Sequence, residues 1–212
     1  MYKQLKHWAM ERSRKAKLEQ FYSRYRGGKV LDVGVSGRNW SDMENVFLKN
    51  FSGSASDYTA LGIEDLSDLS RLYPDRRFVQ YPGGRFPFKD GEFEWAYSNA
   101  VIEHVGDQAA QVAFLNEMLR VARNVFFTTP NKWFPLESHT NMVLLHYFPG
   151  LFYRWCAKRR LYWTPETLNL LGPGDLNRVL AQSNARAPQI LHNRLVGMTM
   201  TLSVVCVWTE DP

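Results

Sequence analysis

The residues whose types and spacing could do chemistry begin with a glycine loop at residues 32–37, Asp-Val-Gly-Val-Ser-Gly, in this chain of 212 residues. Glycines at such a turn let the backbone come close to a ligand, although Asp32 could also simply cap a strand-to-helix turn. Glu64 and Asp65 follow another apolar run. A carboxylate at the end of a strand can accept hydrogen bonds from both hydroxyls of a ribose, whereas its neighbour could cap the next helix. Glu64 is the preferred ligand of the two.

A second group of polar residues lies in the aromatic-rich stretch 131–140. Glu137 and His139 stand there among Trp and Phe residues, where pKa values can shift, and either could take a proton from a substrate. His104 is a third candidate base. Simpler alternatives stay open: Glu137 and His139 could satisfy backbone groups of a loop, Glu103 could complement a helix N-terminus, and His104 could hydrogen-bond across a loop.

Alternating strands and helices are predicted to position these residues. Five strands are predicted, at residues 29–33, 58–63, 78–81, 93–98 and 124–129, and the first is a short, mostly apolar run after a turn, which is typical of a buried parallel strand. Asp107 is the predicted cap of one helix, Ser41 of a helix around residues 41–49, and Asp175 of a third. Two further β-rich runs close the chain, at residues 188–195 and 200–208. The alternation implies a parallel sheet covered on both faces, with ligands at the carboxyl ends of its strands.

The composition is typical of a globular protein, with 45% hydrophobic and 22% charged residues. The net charge of +5 could favour an anionic partner, but without a pattern it indicates little. Cys156 and Cys206 make neither a disulfide framework nor a metal site, so no metal is predicted and a reducing cytoplasm is the expected compartment. No uncharged apolar stretch reaches the ~20 residues of a membrane span, and no secretory signal is recognised.

A single domain over residues 1–212 is predicted from the length of the chain. Residues 1–27 are interpreted as an N-terminal helical cap of one or two turns, and residues 134–174 as a helical lid or substrate insertion. The run 142–163 is dense in aromatics and contains four cations, Arg154, Lys158, Arg159 and Arg160. A lid over the mouth of the site is preferred. The alternative is a surface that rests on a membrane or receives a lipid-linked or phosphorylated substrate.

Together these segments resemble the class I, Rossmann-like S-adenosylmethionine-dependent methyltransferases, in particular the methyltransferase type 11-like group. The most specific element is the run 98–105, Ser-Asn-Ala-Val-Ile-Glu-His-Val, which is similar to the group's strand-four signature. Residues 87–93 resemble the approach to that strand, and residues 128–131, Thr-Thr-Pro-Asn, the end of strand five. The resemblance covers residues 28–135. It implies an α/β three-layer sandwich with a mostly parallel seven-stranded sheet and an antiparallel last strand.

S-adenosylmethionine is the cofactor that this resemblance implies. Asp32 would supply negative charge near the donor's ammonium group, and Glu64 would bind its ribose. Ser98 and Asn99 would lie beneath the methionine portion, and Asn99 could also face the acceptor. The predicted cofactor-binding set is Asp32, Gly34, Ser36, Gly37, Glu64, Asp65, Gly83, Gly84, Phe86, Ser98 and Asn99.

The chain departs from the family pattern at two places. Ser36 and Arg38 stand where the family often has glycines, which predicts a wider turn. The loop 81–86 after the third strand has no acid to meet the adenine amino group. Adenine would therefore have to be held by backbone groups of residues 83–85 and by packing against Phe86.

The resulting prediction is an enzyme that transfers a methyl group by in-line displacement to a small-molecule, glycan or lipid-linked acceptor. Its protein part would place the acceptor and exclude water. A nucleic-acid or protein methyltransferase remains an alternative on the basic pI and the cluster 158–160, but no RNA-binding module is recognised, so a nucleic-acid partner is not expected. A non-catalytic binding or scaffold protein is the other alternative. A nicotinamide-dependent oxidoreductase is disfavoured because the full G-x-G-x-x-G fingerprint is absent.

Overall fold

A seven-stranded sheet covered by helices forms the centre of the protein, whose computed structural model describes residues 2–38 and 44–208. The strands are β1 Val30–Val33, β2 Tyr58–Gly62, β3 Arg77–Gln80, β4 Phe93–Asn99, β5 Ala122–Pro130, β6 Gln189–Leu195 and β7 Met198–Cys206. The helices are α1 Tyr2–Tyr22, α2 Val46–Asn50, α3 Ser67–Leu72, α4 Gln108–Val121, α5 Pro149–Lys158 and α6 Pro173–Gln182.

The order of strands across the sheet is β3-β2-β1-β4-β5-β7-β6. The strands from β3 to β5 pair in parallel, whereas β7 is antiparallel to both of its neighbours. The prediction of a mostly parallel sheet with an antiparallel last strand is therefore confirmed. The strands β1 to β3 are added toward one edge of the sheet, and the strands from β4 onward are added toward the other. Ligands of such sheets bind where this order reverses, here between β1 and β4, outside the carboxyl ends of the strands.

Two layers of apolar side chains, one on each face of the sheet, form the core. Successive residues of a strand point to opposite faces, and all four residues of β1 are buried. Val30 accordingly belongs to one layer and Leu31 to the other. Leu115 of α4 and Leu176 of α6 cover the Leu31 side, while Phe21 of α1 covers the Val30 side.

Helix α1 is longer than the one or two turns that the sequence predicted, since it has 21 residues. The stretch contains neither Gly nor Pro before residue 27, so nothing in its backbone interrupts the helix. Phe21 anchors its end against Trp95, Tyr97 and Phe126, with ring centroids 5.5, 5.3 and 5.8 Å away. This anchoring lays α1 across one face of the sheet and toward the carboxyl ends of the strands.

Helix caps agree with the sequence at one position and differ at two. Asp107 caps α4 as predicted, accepting a hydrogen bond from the Ala110 amide at 2.9 Å. Helix α6 starts earlier than predicted, because Gly172 is its N-cap and Asp175 lies three residues inside. The Asp175 carboxylate accepts a hydrogen bond from the Gly172 amide at 2.9 Å. Helix α2 begins after Asn45, and the predicted cap Ser41 lies outside the described residues.

The segment 134–174 contains α5, one short 3₁₀ turn, Leu145–Tyr147, and the first two residues of α6, and its remaining residues belong to no helix or strand. A small apolar cluster of Phe152, Cys156 and Leu168 holds it together. Among the helices of the described residues, none is both long and apolar enough to cross a membrane.

Candidate functional site

A cleft of about 950 Å³ lies at the carboxyl ends of the parallel strands. The loops after β1, β2, β3 and β4 form its walls, together with one side of α4. The lining residues among the predicted cofactor set are Gly34, Ser36, Glu64, Gly83 and Gly84. The sequence placed these loops together because parallel strands end at one edge of their sheet, and the structure brings them to one cleft.

Gly34 is the point at which the loops after β1 and β4 touch. Its φ is +90°, and a Cβ built there would lie 2.3 Å from Cγ2 of Val101. Only a residue without a side chain fits this conformation and this contact. The close approach lets Gly34 and Val101 line the cleft together.

Glu64 closes the glycine loop from the neighbouring strand. Its Oε2 accepts hydrogen bonds from the Ser36 hydroxyl at 2.9 Å and from the Gly37 amide at 2.8 Å. A Cβ at Gly37 would lie 2.3 Å from the Asp65 carbonyl oxygen, so Gly37 packs against the β2 loop. Glu64 is thus held at the rim of the cleft with its carboxylate fixed by the loop that faces it.

Asp65, Phe86 and Ser98 do not line the cleft. Asp65 accepts from the Ser67 amide at 2.9 Å at the start of α3, which is the capping role left open by the sequence. Ser98 is buried and donates to the Val33 carbonyl at 3.1 Å, so it ties β4 to β1. The side chain of Phe86 lies in the apolar core.

Asp32 is buried beneath the glycine loop, where its Oδ2 accepts a short hydrogen bond from the Tyr58 hydroxyl. Burial raises the pKa of Asp32 to about 7, against the opposing effects of the Tyr58 hydrogen bond and the charge of Arg76. The group is absent from the lining of the cleft. In this arrangement it joins β1 to β2 and acts on the cleft only through the loop above it.

Glu117, which the sequence did not single out, supplies an acid near the loop that follows β3. It lines the cleft from α4 and accepts from the Phe86 amide at 2.7 Å. Arg120 donates to both of its oxygens, at 2.8 and 2.7 Å. This hydrogen bonding lowers the pKa of Glu117. The position of Glu117 on α4, ten residues after Asp107, does not predict that it lines the cleft. Its contact with the Phe86 amide joins segments about thirty residues apart.

A second pocket, of about 230 Å³, lies behind the first and is separated from it by Ala100. Ala100 lines both spaces and has a left-handed backbone, with φ +57°. Asn99 lines only the second pocket. Helix α1 contributes four residues at the spacing of one helix face, Met10, Ser13, Arg14 and Lys17.

Lys17 is a functional candidate that the sequence missed. Its side chain is 7% exposed, and its Nζ donates to Asn99 Oδ1 at 2.7 Å. The same oxygen accepts from the Thr128 hydroxyl at 2.8 Å. Burial, with a smaller contribution from the charge of Arg14, lowers the pKa of Lys17 to about 8. The spacing of Met10, Arg14 and Lys17 could have indicated an inward polar face, had α1 been predicted at its full length.

The three candidate bases lie together. His139 Nδ1 is 2.6 Å from Glu137 Oε1, and His139 Nε2 is 3.1 Å from His104 Nε2. His104 Nδ1 is 2.9 Å from the Thr167 carbonyl oxygen. Trp163 packs against both imidazoles, with ring centroids 5.5 Å from His104 and 5.0 Å from His139. His104 lines the first cleft and His139 the second pocket.

Glu137 anchors this cluster and is nearly fully buried. Its Oε2 accepts from the amide and the hydroxyl of Thr140, both at 2.6 Å. Burial alone would raise its pKa, but the hydrogen bonds from His139 and Thr140 hold it at about 2. Burial likewise lowers the pKa of His139, and the hydrogen bond to Glu137 and the charge of Glu103 outweigh this, so that the net shift is upward.

Glu103 is fully buried beside the two histidines. Its Oε2 accepts from the Thr129 hydroxyl at 3.0 Å. One ligand atom from each of Glu103, His104 and His139 lies within 4.8 Å of the other two. The sequence interpreted Glu103 as a complement to a helix N-terminus. Glu103 does lie in the first turn of a 3₁₀ helix, Ile102–His104, and its side chain also bonds to Thr129 of β5.

No protein-family model matches the chain, and no curated protein matches it. Solved structures do match. A SAM-dependent methyltransferase from Methanosarcina mazei superposes with a TM-score of 0.56 at 15% identity, over 88% of this chain and 95% of the other. A possible histamine N-methyltransferase from Thermotoga maritima gives 0.59 at 12%, over 98% and 96%. A DhpI–SAH complex gives 0.59 at 15%, over 95% and 87%.

These similarities show the fold alone, and they confirm the Rossmann-like α/β architecture expected from the sequence, which these methyltransferases share. The narrower resemblance to the type 11-like group stays a prediction, since no family model matches.

Proposed function

We propose that the chain is an S-adenosylmethionine-dependent methyltransferase that binds its donor in the larger cleft and its acceptor in the smaller pocket. The observation that carries the proposal is the shared wall at Ala100, which puts the two spaces in contact at the carboxyl edge of a methyltransferase-like sheet. Methyl transfer needs two molecules aligned end to end, and two adjoining pockets supply that arrangement. DhpI, which has the same fold, forms a complex with SAH.

On the donor side, Glu64 would bind the ribose hydroxyls through its oxygen that faces away from Ser36 and Gly37. Backbone groups of Gly83 and Gly84, both lining the cleft, would meet the adenine ring. The loop at Gly34 would carry the methionine portion toward Ala100. The donor's sulfonium supplies an already activated methyl group, so these residues need only bind and orient it.

On the acceptor side, the pocket favours a small anionic group, such as a carboxylate or phosphate. Lys17 and Arg14 both reach it from α1. Burial lowers the pKa of both cations, and an anion bound between them would offset that cost. The volume of about 230 Å³ suits a small molecule or the end of a larger one. A glycan- or lipid-linked acceptor could therefore present only its terminal group.

The acceptor atom would lie beside His139, which Glu137 and His104 hold in a fixed orientation. These three residues remain the candidate catalytic groups. A hydroxyl acceptor must lose its proton as the new bond to the methyl carbon forms, and polar groups at this position can assist that loss. The aromatic ring of Trp163 and the segment 134–174 would exclude water from the reacting atoms.

The exposed surface around α5 could contact a membrane peripherally, with the protein otherwise in the cytoplasm. Phe148 and Leu151 are more than half exposed, and the exposed cations Arg154 and Lys158 follow them at helical spacing. Apolar side chains flanked by cations are typical of helices that rest on anionic lipid surfaces. The alternative is that the same residues form the outer face of a lid over the site.

Calorimetric titration with S-adenosylmethionine and S-adenosylhomocysteine tests the proposal. We expect micromolar binding of at least one of them, and a loss of about tenfold or more, about 1.4 kcal/mol, in Glu64→Ala. Asp65→Ala is the matched control, because its carboxylate caps α3 outside the cleft and its removal leaves donor affinity unchanged. A folded protein that binds neither compound would refute the donor assignment. Donor binding without turnover on any acceptor would favour the scaffold alternative.

A further inference from the structure

Three side chains between the two pockets are arranged as metal ligands. Glu103, His104 and His139 each offer one ligand atom, and these atoms lie within 4.8 Å of one another. Glu103 is fully buried, and its Oε1 has no hydrogen-bond partner within the described part of the chain. A buried carboxylate oxygen without a partner is costly, which indicates that something absent from the protein itself completes it.

Both imidazoles are held by their outer nitrogens. His104 Nδ1 is fixed by the Thr167 carbonyl at 2.9 Å and His139 Nδ1 by Glu137 at 2.6 Å. Histidines that bind metals almost always donate this other ring N–H to a carboxylate or a carbonyl. Here His104 has a carbonyl partner and His139 has a carboxylate partner. The two Nε2 atoms are thereby aimed at the same space.

The distance between the two Nε2 atoms is close to the distance expected for two histidines that bind the same metal ion. The two atoms lie 3.1 Å apart. Two imidazole nitrogens at about 2.0–2.1 Å from a tetrahedral Zn²⁺ would be about 3.3 Å apart, so a small movement admits an ion. A direct hydrogen bond between them is the other possibility. With Nδ1 of each ring already donating, that bond needs a third proton and puts a positive charge on the pair.

We propose that Glu103, His104 and His139 bind one divalent transition-metal ion, of the kind represented by Zn²⁺. Imidazole nitrogens select such ions over Mg²⁺ and Ca²⁺, which prefer oxygen ligands. Three protein ligands leave a coordination position open, as is usual where a metal acts on a substrate. No metal was predicted from the sequence, because the two cysteines form no metal site and the two histidines of this cluster lie 35 residues apart.

The three metal ligands lie between the two pockets, where a bound ion could act on methyl transfer. This catalytic role for the ion rests on the proposed function. His104 lines the donor cleft and His139 the acceptor pocket. A hydroxyl oxygen bound at the open position would be more acidic and would lose its proton to solvent. The oxygen then forms a bond to the methyl carbon, the carbon–sulfur bond breaks, and its electron pair stays on sulfur.

Metal binding to the full chain, stripped with a chelator, is the test. Co²⁺ is titrated by its visible absorption and Zn²⁺ by competition against it. We expect one equivalent per chain and at least about a tenfold loss of affinity in Glu103→Gln, His104→Gln and His139→Gln. His192→Gln is the matched control, since this exposed histidine lies on β6, where its Nδ1 is 3.2 Å from the Thr199 hydroxyl oxygen. It should bind metal like the unaltered chain.

The proposal is overturned if the folded chain binds no stoichiometric metal, or if all three ligand variants retain it. In that case the two histidines share a proton. His139→Gln, on a partly exposed loop, keeps the test decisive should Glu103→Gln fail to fold. Donor affinity separates this result from failure of the proposed function: Glu64→Ala should lose S-adenosylmethionine and keep the metal.

Discussion

Replacing Lys17 by methionine should make the protein more stable at neutral pH, although it removes a hydrogen bond. Lys17 is 7% exposed, and burial lowers its pKa from 10.5 to about 8. Each pKa unit corresponds to about 1.4 kcal/mol, so keeping this ammonium charged in the folded state costs about 3 kcal/mol at pH 7. The hydrogen bond to Asn99 returns about 1 kcal/mol. Because Met fills a similar volume, Lys17→Met should gain about 2 kcal/mol in free energy of unfolding.

The difference in free energy of unfolding between Lys17→Met and the unaltered chain should depend on pH. Between about pH 8 and 10.5 the unfolded chain keeps a proton on this lysine that the folded chain has released. Stability of the unaltered chain therefore rises with pH across this window, and below pH 8 this lysine no longer changes stability with pH because both states hold its proton. Lys17→Met lacks the titrating group, so its advantage should be full below pH 8 and should shrink toward zero near pH 10.5.

Urea unfolding from pH 7 to pH 10 measures the difference between the two proteins. Lys15→Met is the control, because Lys15 is 80% exposed on the same helix and pairs only loosely with Glu19, at 3.9 Å. It should leave both stability and its pH dependence nearly unchanged. A Lys17→Met protein that is less stable at pH 7, or one whose advantage does not vary with pH, would refute the reasoning.

Two further predictions concern the cleft and the α5 segment. Gly34→Ala should lower the free energy of unfolding by about 2 kcal/mol more than Gly83→Ala, because both positions have positive φ but only the first meets a neighbour, Val101 at 2.3 Å. Equal losses in thermal unfolding would contradict the contact. If the α5 segment rests on membranes, the chain should float with anionic liposomes, and glutamine at the four cations of residues 154–160 should abolish this. Flotation that is absent, or unchanged by these substitutions, counts against it.

The central strands were predictable from the sequence, because each is a short apolar run that the sheet buries, whereas the edge strands β3 and β6 are only partly buried. The run 29–33 became β1 with every residue from 30 to 33 buried, and the run 124–129 became part of β5. The glycine loop could be placed for the same reason, since it follows β1 directly. Local pattern is enough for such features, because strand burial and turn geometry depend on neighbours in sequence.

The second pocket, which we propose binds the acceptor, could not be predicted to the same extent, because its contacts join distant parts of the chain. Lys17 meets Asn99 across 82 residues, and Glu103 meets Thr129 across 26. A lysine on an N-terminal helix is more often solvated, and nothing near Lys17 in sequence shows that α1 crosses the sheet. Glu103 was assigned a local role at a helix start for the same reason.

Buried charge argues that this pocket exists for a ligand. Among the Asp, Glu, Lys and Arg residues that the structure describes, four are buried, namely Lys17, Asp32, Glu103 and Glu137. All four lie at the carboxyl edge of the sheet, and three of them border the acceptor pocket or its histidines. Burying a charge generally costs more than an apolar residue of similar size would. Three of them, Lys17, Glu103 and Glu137, are concentrated beside the second pocket, which favours a binding role there, whereas Asp32 bonds to Tyr58 and joins β1 to β2.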